Sequence, residues 1–285
     1  MIIGTKARPN IDLLTVEGFG EEWAAYDQHD LPAEDYERTF DAYFHIFPFD
    51  ELPPGSEGFD LGCGSGRWAA GVADKVGKLH CIDPAAKALA VARRRLEGEK
   101  GVEFHEADAS TIPLPDDSQD FGYSLGVLHH IPDTARALAD CVRKLKPGAP
   151  FLVYLYYRFD NRPLWFRSMW RASDLTRRGI SRLPFQLRKG VASLIAGSVY
   201  WPLAKLSGWL ERLGIDVAAV PLSYYRNLDF YWMRTDALDR FGTRLEHRFK
   251  RADVLAMMEQ AGLCDVRFSE REPYWVAVGR KVGEG

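Results

Sequence analysis

Apolar and polar positions change rhythm several times along the chain. Between residues 57 and 157 short apolar runs alternate with amphipathic stretches. Phe59–Leu61, Leu79–Ile82, Val102–His105, Asp120–Val127 and Phe151–Tyr156 read as strands, with Arg67–Val76, Ala85–Leu96 and Leu138–Leu145 as the helices between them. Strands separated by helices predict a parallel sheet. Near the other end a helix over Arg251–Gln260 stops at Gly262. Cys264–Phe268 and Tyr274–Arg280 then read as a strand pair joined by a loop around Pro273. Two stretches keep the helical period instead. Asp30–Phe49 repeats Tyr36, Phe40, Tyr43, Phe44 and Phe47 at three- and four-residue spacing, a stripe that serves either core packing or a binding surface. From Arg158 to Arg248 the stretches Leu164–Leu175, Pro184–Val199 and Leu203–Leu213 look helical. The chain thus divides into an N-terminal helical segment (1–56), a core (57–157), an inserted helical region (158–248) and the remainder of the core (249–285).

The chemistry concentrates where the first core strand ends. Asp60-Leu61-Gly62-Cys63-Gly64-Ser65-Gly66-Arg67-Trp68 runs from strand to helix through three glycines at alternate positions. Glycine tolerates positive φ and lets a ligand approach the backbone, so this turn is a nucleotide-sized cradle. A dinucleotide fingerprint would space its glycines as G-x-G-x-x-G. Here the third glycine comes one residue early and Arg67 stands where that fingerprint wants Gly or Ala. Asp60 would repel a pyrophosphate and would suit a ligand carrying an ammonium group. S-adenosylmethionine carries an α-amino group, a sulfonium and no phosphate.

The stretch resembles motif I of the class I S-adenosylmethionine-dependent methyltransferases, and three further matches follow at fitting distances. Asp83-Pro84, 17 positions past Gly66, resembles the acid that accepts the ribose hydroxyls; a role at the start of the next helix is the alternative. Asp108-Ala109 matches the position that meets adenine, although an Asp before small residues also starts turns. Gly126-Val127-Leu128-His129-His130 is similar to the strand ending of relatives of the ubiquinone and menaquinone methyltransferases. The resemblance covers about 57–157 and 250–281. It implies a seven-stranded, mostly parallel, doubly wound α/β sheet, which family members often precede with an N-terminal helical segment; the helical look of 158–248, outside the resemblance, adds an inserted helical cap. It implies S-adenosylmethionine as cofactor, with S-adenosylhomocysteine as product, held by Asp60, Gly62, Cys63, Gly64, Gly66, Arg67, Trp68, Asp83, Pro84, Asp108, Ala109, Gly126, Val127 and His130. Trp23 from the N-terminal segment is a further cofactor candidate and Tyr26 a substrate candidate, both as parts of a lid. His129 or His130 could take a proton from a substrate hydroxyl or amine, or could simply pack against the cofactor.

The insertion should choose the methyl acceptor. Residues 158–190 hold nine Lys or Arg against two Asp, whereas residues 1–56 hold 12 acidic residues against three basic ones. The basic run suits an anionic acceptor, a membrane surface bearing a lipid-borne acceptor, or a solvated face paired with the acidic segment or a second subunit. Tyr224, Tyr225 and Arg226, with Tyr156 and Trp165, are the candidates for acceptor contacts, and Tyr157, Tyr224 and Tyr225 join the histidines as candidate catalytic groups. His247 is a lesser candidate.

Totals change this picture little. The chain has 285 residues and a net charge of −3, which argues against a nucleic-acid binder. Four scattered cysteines without a C-x-x-C pair fit a reducing cytoplasm and offer neither a zinc site nor a disulfide framework; no metal-ligand constellation is expected. The N-terminus lacks the apolar run of a signal peptide, and the longest uncharged apolar-leaning run, 190–204, is short of the roughly 20 residues of a membrane span. A homodimer is compatible with all of this. The expected reaction is methyl transfer to a small-molecule or glycan-type acceptor, first at oxygen. The alternatives are N- or C-methylation of a lipid-borne acceptor and a catalytically silent cofactor-binding protein.

Overall fold

The computed structural model describes residues 9–26, 33–159, 163–217 and 220–283. The expected start of the N-terminal helix at Asp30, and Asp160 and Arg162 of the basic run, lie outside the described residues. The chain forms two compact units. The first comprises Met1–Val16, Asp27–Tyr157 and Leu245–Gly285; the second comprises Glu17–Tyr26 and Arg158–Arg244.

The first unit is built on a seven-stranded sheet: β1 (Glu57–Leu61), β2 (Lys78–Asp83), β3 (Val102–Glu106), β4 (Phe121–Leu125), β5 (Pro150–Tyr154), β6 (Leu263–Phe268) and β7 (Val276–Lys281). The spatial order is β3-β2-β1-β4-β5-β7-β6. β1 to β5 pair in parallel, and β7 runs antiparallel to both β5 and β6. This is the seven-stranded, mostly parallel sheet that the sequence implied. Alternation along the strands supplies two apolar faces. Phe59, Leu61, Ile82 and Val153 pack with Leu138, Cys141, Val254 and Met258 on one side. Leu79, Cys81, Phe121, Tyr123 and Leu152 pack with Phe44, Phe47 and Trp68 on the other.

Strand order reverses between β1 and β4, and an open sheet of this type has its crevice beyond the carboxyl ends of the strands at that point. The loop after β1 and the turn after β4 therefore meet. A Cβ added at Gly62 would lie 2.3 Å from Val127 Cγ2.

Element ends differ from the sequence reading where caps and glycines decide them. β4 stops at Leu125 because Gly126 takes φ +80°, and Leu128–His130 forms a 3-10 turn. The next helix starts earlier than expected, at Thr134, because the Asp133 side chain accepts from the Arg136 amide as its N-cap. The N-terminal aromatic helix spans Ala33–Phe44. Its Phe40 and Phe44 rings stack at 4.4 Å, and Tyr43 lies 4.8 Å from Trp68, so the stripe is core packing.

The second unit is helical: Leu164–Ile180, Phe185–Ile195, a π-helical turn over Ala196–Tyr200, Trp201–Arg212 and Phe230–Gly242. Ile180, Ala192, Ala196, Tyr200, Ala204, Met233, Ala237, Leu238 and Phe241 form its core, together with Tyr26. No helix among the described residues is long and apolar enough to cross a membrane.

Candidate functional site

The cradle is assembled by backbone hydrogen bonds between β1 and β2. The amides of Gly62 and Cys63 both donate to the Ile82 carbonyl, at 2.7 and 3.2 Å. Gly62, Gly64 and Gly66 all have positive φ, of 77°, 54° and 74°. At Gly66 the opposing constraint is the helix Ala86–Arg95, since an added Cβ would sit 3.1 Å from Ala92 Cα. The loop can thus hug both neighbours only as glycine.

Asp83 ties the loop to the tip of β2. Its Oδ2 accepts from the Gly64 amide at 2.9 Å and its Oδ1 from the Ala85 amide at 2.8 Å. Burial pushes the carboxyl up from 3.8 to about 6, against the pull of those two donors. The second lone pair of each oxygen is left for a ligand's hydroxyls. The alternative role as helix cap is not taken: Ala85 is the N-cap of Ala86–Arg95, with no side-chain cap.

Asp60 lies on β1 opposite Tyr123 of β4 and is 1 % exposed. Neither its Oδ2 nor the Tyr123 hydroxyl closes a hydrogen bond of ordinary length among the described residues. Burial pushes this carboxyl well above the usual range, nearby Asp83 adds to the effect, and the Tyr123 hydroxyl offsets part of it. A buried acid without a partner is costly. A cationic group on a ligand would supply the partner and restore the ionised form.

Asp108 sits three residues past His105 of β3, half-buried. Its Oδ1 accepts from the Ser110 amide at 2.7 Å and the Ser110 hydroxyl at 2.5 Å, so it holds its own turn while Oδ2 stays available. Ala109 is buried behind it.

The two histidines after β4 separate into different roles. His130 is fastened: its Nδ1 donates to the Leu245 carbonyl at 2.7 Å. His129 is fully buried, and neither ring nitrogen has a hydrogen-bond partner among the described residues. Its ring stacks on Tyr156 at 3.8 Å. Burial, then the charges of His130, Arg248 and His247, hold its pKa well below the usual value, so the ring is neutral. The returning chain closes this corner, with the His247 amide donating to the His129 carbonyl and the Phe249 amide to the Tyr156 carbonyl, both at 2.9 Å. Arg248 lies 4.9 Å over the Tyr156 ring and pairs with Glu246 at 2.7 Å. Tyr123, Glu246 and Arg248 had not stood out in sequence. Nothing local marks Tyr123 or Arg248, since one matters through strand pairing with Asp60 and the other through Tyr156, 92 residues away; Glu246 enters only as the partner of Arg248.

Several expected ligands also make structural contacts. Trp68 is buried against Tyr43 and Phe44, and Arg67 covers its ring at 4.1 Å. Cys63 is buried beside Cys81, which with burial raises its thiol pKa. Pro84 is half-buried in the bend that leads from β2 to Ala85. Tyr157, half-buried, packs against Tyr274 and Trp275 at 5.4 and 5.8 Å, at the edge of the core. Tyr26 is not an open lid residue. It is 3 % exposed in the core of the second unit, with Lys189 and Arg234 over its ring at 4.8 and 4.7 Å. Trp23 is half-buried, in residues that belong to the same second unit. Tyr225 donates to Asp236 at 2.8 Å, and Arg226 forms a bidentate pair with Glu211 at 2.8 and 2.9 Å. Tyr224 and Trp165 are exposed. The basic run is partly consumed internally. Arg177 is buried on Asp174 and the Thr243 and Arg244 carbonyls, and Arg188 on Glu21 and the Gly242 carbonyl.

The cradle therefore fits the cofactor implied by its pattern. Asp60 Oδ2 offers an acceptor to an ammonium, Asp83 offers acceptors to ribose hydroxyls, Asp108 Oδ2 offers one to an adenine amino group, and the glycines admit the chain of the ligand. Residues 59–153 match the profile of a family described as a methyltransferase domain. Fold and site together define the class: the chain carries a methyltransferase domain of the class I, S-adenosylmethionine-dependent kind.

Particular relatives are similar over part of their length. Over 111 residues the chain is 36 % identical to phosphoethanolamine N-methyltransferase 2 of Caenorhabditis elegans, which is 38 % of this chain and 25 % of the relative. Over 167 residues it is 33 % identical to the demethylmenaquinone methyltransferase of Clavibacter sepedonicus, 54 % of this chain and 63 % of that one. The chain thus spans a quarter to somewhat under two thirds of these relatives. Among solved structures, the methyltransferase in complex with the Haloferax volcanii Trm112 methyltransferase activator superposes with a TM-score of 0.51. It shows 16 % identity over 95 % of this chain and 99 % of that one, a likeness of fold.

Proposed function

We propose that this protein transfers the methyl group of S-adenosylmethionine to a hydroxyl of a small-molecule or glycan-type acceptor, with His129 receiving the hydroxyl proton. The observation that carries the proposal is the buried, neutral and unpartnered His129 ring at the carboxyl end of β4. A buried imidazole with no hydrogen bond is destabilising by about 1–3 kcal/mol unless a ligand completes it. The reaction is an in-line displacement at the methyl carbon, and most of its rate comes from positioning the nucleophile against an already activated sulfonium. The proton passes from the acceptor oxygen to an imidazole nitrogen as the carbon–oxygen bond forms. Exposed arginines outside the internal pairs, such as Arg171 and Arg182, favour an anionic acceptor. So does the resemblance to a phosphoethanolamine methyltransferase. The scattered cysteines favour a cytoplasmic setting.

The test is turnover of His129→Asn on an anionic acceptor panel. The expected result is a loss of about 10²–10⁴-fold in kcat with cofactor affinity unchanged. Full turnover in the variant would remove His129 from the chemistry.

A second reading, a lipid-borne acceptor, is favoured by one observation. The second unit exposes Leu164, Trp165, Leu187, Leu194, Trp201 and Trp209 beside exposed arginines. Apolar and cationic side chains interleaved in this way suit an anionic bilayer surface. Sedimentation with phosphatidylglycerol vesicles separates the readings, because the lipid reading requires binding that weakens in Trp201→Glu.

A further inference from the structure

On the sheet at its β3 edge, three strands bring together a set of side chains that the methyl-transfer reading does not use. His80 and Glu103 are register partners on β2 and β3, and His105 follows on the same face of β3 two residues later. The separations are 2.9 Å from His80 Nδ1 to His105 Nε2, 3.5 Å from His80 Nδ1 to Glu103 Oε2, and 3.9 Å from His105 Nε2 to Glu103 Oε2. A tetrahedral zinc ion with bonds of about 2.0–2.1 Å holds its ligand atoms roughly 3.3–3.4 Å apart. The observed triangle brackets that spacing.

The surroundings orient the triangle toward a cation. His80 is 2 % exposed, and its far nitrogen, Nε2, donates to Glu57 Oε1 of β1 at 2.7 Å. That bond places the proton on Nε2 and leaves the Nδ1 lone pair facing His105 and Glu103. A carboxylate behind a histidine ligand is the usual outer partner at zinc sites. Glu103 divides its two oxygens: Oε1 pairs with Lys78 Nζ at 3.0 Å, and Oε2 faces the imidazoles. Glu57, Glu103 and Lys78 sum to a single negative charge beside the two imidazoles, which a divalent ion would offset. Lys78, also 3.5 Å from Glu57 Oε1, is the competing cation. Glu103 and His105 are partly exposed, so an ion has an entry path and water can complete the fourth position.

The geometry points to a zinc-class divalent cation site formed by His80 Nδ1, Glu103 Oε2 and His105 Nε2, with Glu57 as the outer carboxylate. Imidazole with carboxylate selects zinc-like ions over magnesium or calcium. To ligate, His105 moves its proton from Nε2 to Nδ1, so binding releases no net proton. The ion would clasp edge strand β3 to β2, three residues before Asp108. In sequence the set is visible only as Glu103-Phe104-His105, whose period of two puts both side chains on one face once β3 is a strand; nothing local points to His80.

The experiment titrates chelator-treated full-length protein with Zn2+ by calorimetry and with Co2+ by visible absorption. The expected result is one ion per chain, a four-coordinate cobalt spectrum and a melting temperature that rises with added Zn2+. His105→Ala and Glu103→Gln, both on the partly exposed edge strand, should lose the spectrum and the thermal shift while retaining S-adenosylmethionine binding. Glu57→Gln should weaken Zn2+ about 10–100-fold. Lys78→Ala should tighten it by removing the competing cation. Zn2+ binding well below one per chain, or binding that survives His105→Ala and Glu103→Gln unchanged, would overturn the proposal.

Discussion

Replacing Asp83 by Asn tests the cofactor loop through its pH dependence. Burial holds the Asp83 carboxyl near 6 in the folded protein against 3.8 when solvated, despite the amides of Gly64 and Ala85. At about 1.36 kcal/mol per pKa unit, ionised Asp83 costs the folded state about 3 kcal/mol. Because the folded pKa is the raised one, the favourable contribution is complete below 3.8 and is lost as pH climbs through 6. Between pH 5 and 7.5 the loss works out to about 1.4 kcal/mol, since at pH 5 about ten of every eleven folded molecules still carry the proton. Asn does not titrate. Urea denaturation of both proteins should therefore show the wild type losing about 1.4 kcal/mol relative to Asp83→Asn across that window. Ribose hydroxyls need the ionised acceptor, so S-adenosylmethionine affinity should rise about tenfold over the same window in the wild type. The variant should bind more weakly, without that Asp83-linked rise. A stability difference that does not change with pH would refute the burial argument. Unchanged cofactor affinity in the variant would refute the ribose assignment.

Other expectations rest on single contacts. Asp60→Asn should raise the melting temperature of the ligand-free protein at neutral pH, because burial disfavours the charged form there and stability falls as pH rises above 3.8. The same change should weaken S-adenosylmethionine about tenfold or more in calorimetry by removing the ammonium's partner. Gly62→Ala should cost about 2–5 kcal/mol in chemical denaturation, from the positive φ and the collision with Val127. Arg177→Met should destabilise the second unit by about 1–3 kcal/mol, since it takes the donor from the Thr243 and Arg244 carbonyls while Asp174 keeps Arg178; a thermal melt reads this.

What was legible in sequence is what the backbone decides locally. The glycine loop, Asp60 and Asp83 could be assigned because positive φ, strand alternation and spacing along one βαβ unit constrain them. The choice between His129 and His130 could not, because it depends on the Leu245 carbonyl 115 residues away. The helix Phe230–Gly242 was not among the expected helices, although Trp232, Met233, Ala237, Leu238 and Phe241 repeat at helical spacing and are buried. Tyr26 was a candidate as part of an N-terminal lid and Arg226 as a cation beside two tyrosines. Their partners, Lys189 and Arg234 for the first and Glu211 for the second, exist only in the folded second unit.

The central claim is that the loop after β1 is built for S-adenosylmethionine rather than a dinucleotide. Calorimetric titration of the purified protein with S-adenosylmethionine, S-adenosylhomocysteine and NADH tests it most directly. The account predicts one-to-one binding of the first two and none of NADH. Binding of NADH with neither of the others would contradict it.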